Sequence, residues 1–99
     1  MVVPSAAKAN QPFSLTVTFK DQFGNVATGY RGTVHFTSSD TLAQTLGDLP
    51  SDYTFSSADA GSHTFSATLV TVGNQTITVT DTAKGTLTLT SPPITVSLF

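Results

Sequence analysis

From Phe13 to Leu98, apolar and hydroxyl side chains alternate with a period of two. Phe13, Leu15, Val17 and Phe19 are interleaved with Ser14, Thr16, Thr18 and Lys20. Val34 and Phe36 stand between Thr33, His35 and Thr37, and Tyr53 and Phe55 beside Thr54 and Ser56. Phe65, Ala67 and Leu69, then Ile77 and Val79, then Leu87 and Leu89, repeat the pattern against Thr and Ser, and Ile94, Val96 and Leu98 close it. A β-strand sends successive side chains to opposite faces, so each run has one apolar and one hydroxylated face. Strands of this kind bury one side and wet the other, as in two antiparallel sheets packed face to face.

Turn chemistry separates the runs: Asp21-Gln22-Phe23-Gly24-Asn25, Tyr30-Arg31-Gly32, Leu49-Pro50-Ser51-Asp52, Val72-Gly73-Asn74 and Ala83-Lys84-Gly85. The spacing predicts a single domain over residues 1–99: an all-β sandwich of about seven strands with Greek-key connections. No segment keeps a helical period, and Ser39 to Asp48 is predicted as a loop with one helical turn. Ser91-Pro92-Pro93 interrupts the late pattern. Because Pro cannot donate to a ladder, the pair marks an edge, a bulge or a change of sheet, and the pairing after Asp81 stays open.

Composition agrees. Only 10% of residues are charged, against about 25% in ordinary soluble domains, and none is Glu. Thr and Val favour strands, whereas Glu, Lys and Arg favour helices. There is no Cys, so no disulfide joins the sheets and thiolate metal sites and thiol catalysis are excluded. With a net charge of −2 and 4 cations the chain is a poor nucleic-acid ligand, since that affinity rests on neutralising phosphates. No apolar run approaches the roughly 20 residues of a membrane helix. No signal peptide is read, and Met1 leads straight into a strand-like stretch, as in a module cut from a longer protein.

The stretch Ala58-Asp59-Ala60-Gly61-Ser62-His63-Thr64-Phe65 narrows the fold class. It reads as the corner entering strand F of an immunoglobulin-type sandwich, where a Tyr stands two residues before a buried Cys and its hydroxyl bonds upstream backbone. Here His63 takes the Tyr position and Phe65 the Cys position. Asp59 caps the turn and Gly61 supplies a positive φ. His63 is predicted to face inward and bond backbone near Ser56 to Asp59.

Several of these runs together resemble the bacterial immunoglobulin-like repeats of large surface and secreted proteins. They are Asp21 to Asn25, Gly29 to Asp40, Leu49 to Phe55, Asp59 to Phe65 and Gln75 to Asp81, so the resemblance spans about Pro12 to Asp81. The ending with Pro92-Pro93 departs from the pattern. The resemblance implies an extracellular or cell-surface location and a place beside neighbouring domains of a longer chain. It also implies spacer or stalk roles, with host or glycan partners for some terminal copies. It carries no catalytic residues.

The chemistry-bearing residues fit that picture. His63 lacks a second His at metal-ligand spacing, and His35 has the opposite parity to Val34 and Phe36. Asp21, Asn25 and Asp40 offer oxygen ligands of the kind calcium takes. They lack the dense Asp-x-Asp spacing of a loop site, so they read as turn formers. Lys8 and Lys20 invite comparison with Lys–Asn isopeptide crosslinks, but Lys20 lies on the polar parity of its strand. The Thr runs 76-78-80 and 86-88-90 predict hydroxyl ladders; a flat ladder is what ice-binding surfaces use, but sheet twist spoils the flatness. Asn74-Gln75-Thr76 is a sequon read as accidental. No nucleophile elbow and no phosphate loop occurs. The expectation is a non-enzymatic spacer without cofactor or metal, monomeric in isolation. The alternative is an adhesive or carbohydrate-binding module using loops Asp21–Arg31 or Thr37–Asp52, with Tyr30 and Arg31 as contacts.

Overall fold

The fold was taken from a computed structural model that describes residues 1–98. Nine strands and one helix occur among these residues: β1 (Ala6–Lys8), β2 (Pro12–Thr18), β3 (Thr33–Ser38), α1 (Thr41–Leu46), β4 (Tyr53–Thr54), β5 (Ser62–Thr68), β6 (Gly73–Gln75), β7 (Ile77–Asp81), β8 (Thr88–Thr90) and β9 (Ile94–Ser97). The protein is therefore all-β, and α1 falls inside the predicted 39–48 loop. Its start is capped by the Asp40 carboxylate, which accepts from the Ala43 amide. Its end is closed by Gly47 in the left-handed region, φ 76°.

β2 and β5 form one antiparallel pair, with Leu15 opposite Phe65 and Val17 opposite His63. The order β4-β3-β7-β8 forms a four-stranded sheet, and β1-β9-β6 a three-stranded one. Thr76 alone separates β6 from β7, and Ser91-Pro92-Pro93 separates β8 from β9. Between the pairs Gln75↔Ile94 and Thr78↔Thr90, one strand advances from 75 to 78 and the other from 90 to 94. One extra residue is thus taken up on the proline side, as in a bulge. The Ser91 hydroxyl accepts from the Ile77 amide there, satisfying a donor on the facing strand where the ladder is interrupted. The two sheets are thereby successive halves of one hairpin.

Two expectations need correction. First, the sheets are not wholly antiparallel: β1 runs parallel to β9, Ala7 opposite Val96. Second, the corner before Phe65 does not lead into the strand that pairs with β3. That strand is β7, with Phe36 opposite Val79. Phe65 lies beside Leu15 in the same sheet, so it is not the residue facing β2 from the other layer. A six-residue corner with an inward aromatic two positions on can precede any inward-facing strand, so the local signal could not choose between them.

The predicted core is largely realised. Leu15, Val17, Phe19, Val34, Phe36, Phe55, Phe65, Leu69, Ile77 and Val79 are buried, while Phe13 and Tyr53 pack partly buried at its margin. Ala43, Ala67, Ile94 and Val96 complete it. The layers meet where the Phe36 ring of β3 lies edge-on to Phe65 of β5, centroids 4.8 Å apart. Outward Thr and Ser side chains pair across strands, Thr16 with Thr64 at 3.0 Å and Thr80 with Thr88 at 3.1 Å. Each such pair adds a few tenths of a kcal/mol, about 0.2–1 at most.

The chain path gives the molecule two distinct ends. At the proximal end lie the segment between β2 and β3, the link from β4 to β5 and the β7–β8 turn. There Phe19 N–H donates to Gly61 O and the Tyr30 hydroxyl to Asp81. At the distal end lie α1, the β1–β2 turn and the β5–β6 link, joined by Asn10 N–H to Leu69 O and Thr68 N–H to Asp48 O. Val2 comes in beside Thr16 of β2, and β9 leaves at the distal end, where Ala9 N–H donates to Ser97 O.

Phe65→Ala removes a buried ring at the layer junction and should cost about 3–5 kcal/mol in urea unfolding. A loss under about 1 kcal/mol would mean that Phe65 does not join the layers.

Candidate functional site

Three aspartates organise the polar interior. Asp40 is 1% exposed. One oxygen accepts from the Ala43 amide and the Thr71 hydroxyl, the other from the amides of Val70 and Thr71, at 2.8–3.1 Å. Burial opposes ionisation, but the Thr71, Ala43 and Val70 amides and the Thr71 hydroxyl outweigh it and hold the carboxyl below its ordinary value. Asp40 reads from the sequence as a turn former, one of three oxygen-bearing residues with Asp21 and Asn25 that a calcium site would need together. Instead β3 separates them: Asp21 and Asn25 precede it, and Asp40 follows it. Asp21 caps its own turn, accepting from the Phe23 and Asn25 amides at 2.9 and 3.0 Å. The carboxylates thus act as turn and helix caps at opposite ends of one strand.

At the proximal end Asp59 collects the corner. Its Oδ2 accepts from the Tyr53 hydroxyl at 2.7 Å and the Ser56 amide at 2.9 Å, and its Oδ1 lies 2.6 Å from Nδ1 of His63. The Ser56 amide first, then the Tyr53 hydroxyl, hold this carboxyl far below the usual carboxylate range, with His63 adding to the effect. With Asp59 ionised, the bond requires the proton on Nδ1 of His63. The ring faces inward as predicted and stacks on Tyr53 at 4.2 Å. Its partner is the Asp59 side chain, not backbone, which corrects the expected corner. The Asp59 carboxylate, held at the corner by the Ser56 amide, accepts the ring N–H that a backbone carbonyl was expected to accept. Gly61 has φ +85°, and a Cβ there would fall on the Ala27 carbonyl oxygen.

The third group is Tyr30–Asp81. The Tyr30 hydroxyl donates to Asp81 Oδ2, and the other carboxylate oxygen accepts from the Ala83 and Lys84 amides. The Tyr30 hydroxyl first, then those amides, lower the Asp81 carboxyl, while burial and Asp81 push the Tyr30 phenol up. Gly32 lies beneath this bond; a Cβ there would strike both partners. Tyr30 also stacks on Phe19 at 4.1 Å and is half-buried. Of the two residues expected to meet a partner, Tyr30 is thus engaged inside the fold. Arg31 is exposed, its guanidinium donating to the Thr28 and Tyr30 carbonyls. Sequence reasoning missed Tyr53 and Asp81 as partners of these groups. The available signal was the pairing of each inward Tyr with an Asp at the end of a strand or turn.

The Asp59–His63 pair has the geometry of a base held by its carboxylate. Ser56 Oγ, however, donates at 3.3 Å to Oδ2 of the carboxylate, the oxygen that His63 does not bond. No pocket opens in the surface formed by the described residues, and every buried side-chain nitrogen and oxygen among them has a partner. No known protein family, curated protein or solved structure matches the chain.

Carboxyls lowered in the folded state stabilise it above their unfolded value, near 3.9, and lose that contribution as pH falls through the folded values. The melting temperature should therefore be nearly flat from about pH 7 to 5 and fall below about pH 4. Asp40→Asn should be less stable by roughly 1–3 kcal/mol at pH 7, because it puts an amide donor against amides. It should also lose less on acidification. Parallel pH profiles for the variant and wild type would show that Asp40 does not contribute to the acid dependence.

Proposed function

We propose that this domain is a non-catalytic spacer, an immunoglobulin-like module of a bacterial surface or secreted multidomain protein that stands between neighbouring domains outside the cell. The observation that carries this reading is the chain path. The polypeptide comes in beside β2 at the proximal end and leaves along β9 at the distal end, so load would run along the strands; the longest extent of the molecule is 40 Å. The other extents are 24 and 23 Å. The strand partners support the immunoglobulin-like assignment. β2 pairs with β5 in one layer, and in another β3 pairs with β7, which pairs in turn with β8, the division expected of strands B–E and C–F–G. The family resemblance between Pro12 and Asp81 points the same way. The closed surface and the internally satisfied aspartates favour a holding role over a chemical one.

The first and last strands suit this task. β1 and β9 are parallel, so pulling the two ends apart slides one along the other and loads their hydrogen bonds together. Forced unfolding is governed by the unfolding barrier rather than by equilibrium stability. Single-molecule pulling through the two ends should give one abrupt unfolding event. Ala9→Pro removes the donor to Ser97 O and should lower that force more than it lowers the urea midpoint. Extension at the lowest loads, or a force indifferent to Ala9→Pro, would count against the spacer.

A further inference from the structure

β8 is an outer strand of the four-stranded sheet, and its free side is an open hydrogen-bonding edge. Asp81 N–H donates to Leu87 O and Ser91 N–H to Ile77 O, so Leu87, Leu89 and Ser91 turn their backbone groups toward β7. The amides and carbonyls of Thr88 and Thr90 point the other way. Among the described residues no group meets them there. The other edges are covered or guarded. Val2 pairs with Thr16 on the outer side of β2, where Pro12 has no amide to offer. Beside β5, Asp48 O takes the Thr68 amide and the Tyr53 ring stacks on His63. Ser39 bonds Thr76 next to β6. β4 has two residues, and β1 has three and ends on Lys8. A short strand, a Pro, a Lys or a covering segment each keeps an edge from pairing with another chain. None of these guards β8 from Thr86 to Ser91, and no charged residue follows Lys84. Farther along the same side, β1 already adds a strand to β9.

We propose that β8 pairs edge to edge with β8 of a second copy of this chain, as an antiparallel ladder centred on Leu89. The edge is complementary to itself. Thr88 of one copy and Thr90 of the other exchange both backbone hydrogen bonds, and the two-fold axis repeats the exchange. That axis stands perpendicular to the sheet, so both hydroxylated faces stay on one side. There Thr88 lies opposite Thr90. The molecule already uses such Thr–Thr pairs across its own strands: Thr16 with Thr64, Thr33 with Thr54, Thr78 with Thr90 and Thr80 with Thr88. On the inner side Leu89 of one copy meets Leu89 of the other, and the fold leaves Leu87 and Leu89 only half-buried. Like charges facing each other would oppose the pairing, and Thr86 to Ser91 bring none. The contact is isologous, so assembly stops at a dimer. It is one short strand wide, below the roughly 800 Å² per partner of a standard interface, so it forms at high micromolar to millimolar concentration. The paired copies run in opposite directions, side by side, and the contact is independent of the spacer role.

Exchanging charges tests both the contact and its register. Thr88→Lys combined with Thr90→Lys sets like charges opposite each other in the pair, and Thr88→Asp combined with Thr90→Asp does the same with the other sign. Both positions are exposed on the outer face, so a wild-type circular dichroism spectrum and cooperative melting show that each chain is folded. In sedimentation velocity at millimolar concentration, wild type should form dimers and nothing larger. Each doubly substituted chain alone should stay monomeric, and an equal mixture of the two should dimerise. Thr88→Pro removes an outward N–H without breaking the ladder to β7, and it too should abolish the dimer. In NMR spectra the Thr88 and Thr90 amides should shift most with concentration. Wild type that stays monomeric at millimolar concentration would overturn the proposal. So would a mixture that fails to pair, growth past the dimer, a dimer that survives Thr88→Pro, or shifts centred on Phe23 or Leu42 instead.

Discussion

Phe55 lies edge-on to Phe19, Tyr30 and Tyr53, with centroids 5.1–5.5 Å away, and His63 and Phe65 close the group within 6.5 Å. These rings come from the β2 edge, the segment before β3, the β4 strand and β5, so one cluster draws on both layers. With no cysteine in the chain, this packing does what an inter-sheet disulfide does elsewhere. Edge-to-face pairs add about 0.5–1.5 kcal/mol each beyond the area they bury. The two polar groups at the proximal end are attached to the same rings: Tyr30 carries Asp81 and Tyr53 carries Asp59. Each phenol is apolar toward Phe55 and polar toward a strand-end carboxylate, so the cluster ends without an unpaired polar atom.

The distal end solves the same problem differently. The six-residue helix there is too short to hold itself. Asp40 supplies the link, bonding its own helix and the β5–β6 segment at once. A buried carboxylate with four donors is stable only as a unit, since any donor removed leaves charge or amide unmet. The fold is therefore braced by aromatic contact at one end and by a carboxylate at the other, with paired hydroxyls along the flanks. At the two tips the apolar side chains Phe23, Leu42 and Leu46 stand exposed.

Alternation is a local property, and it was enough to mark the strands, the inward faces and the all-β class. The face of Phe13 to Phe19, the inward Phe65 and the short helix after Ser39 were all legible because each depends on residues two to four apart. The break at Pro92-Pro93 was legible for the same reason, since the missing donor is a property of the residue. The choice of partners was not. Whether Phe65 pairs beside Leu15 or opposes it across the core turns on contacts between residues 50 apart in sequence. The corner before it looks alike in either case. Asp40 read as a turn former because its local spelling is that of a cap; only folding brings the Val70 and Thr71 amides to its second oxygen. The Tyr30–Asp81 and His63–Asp59 bonds likewise arise where strand ends converge. Periodicity, carried by neighbouring residues, is written along the chain. Register, layer and the company kept by a buried carboxylate depend on which distant segments share the core, and packing settles them.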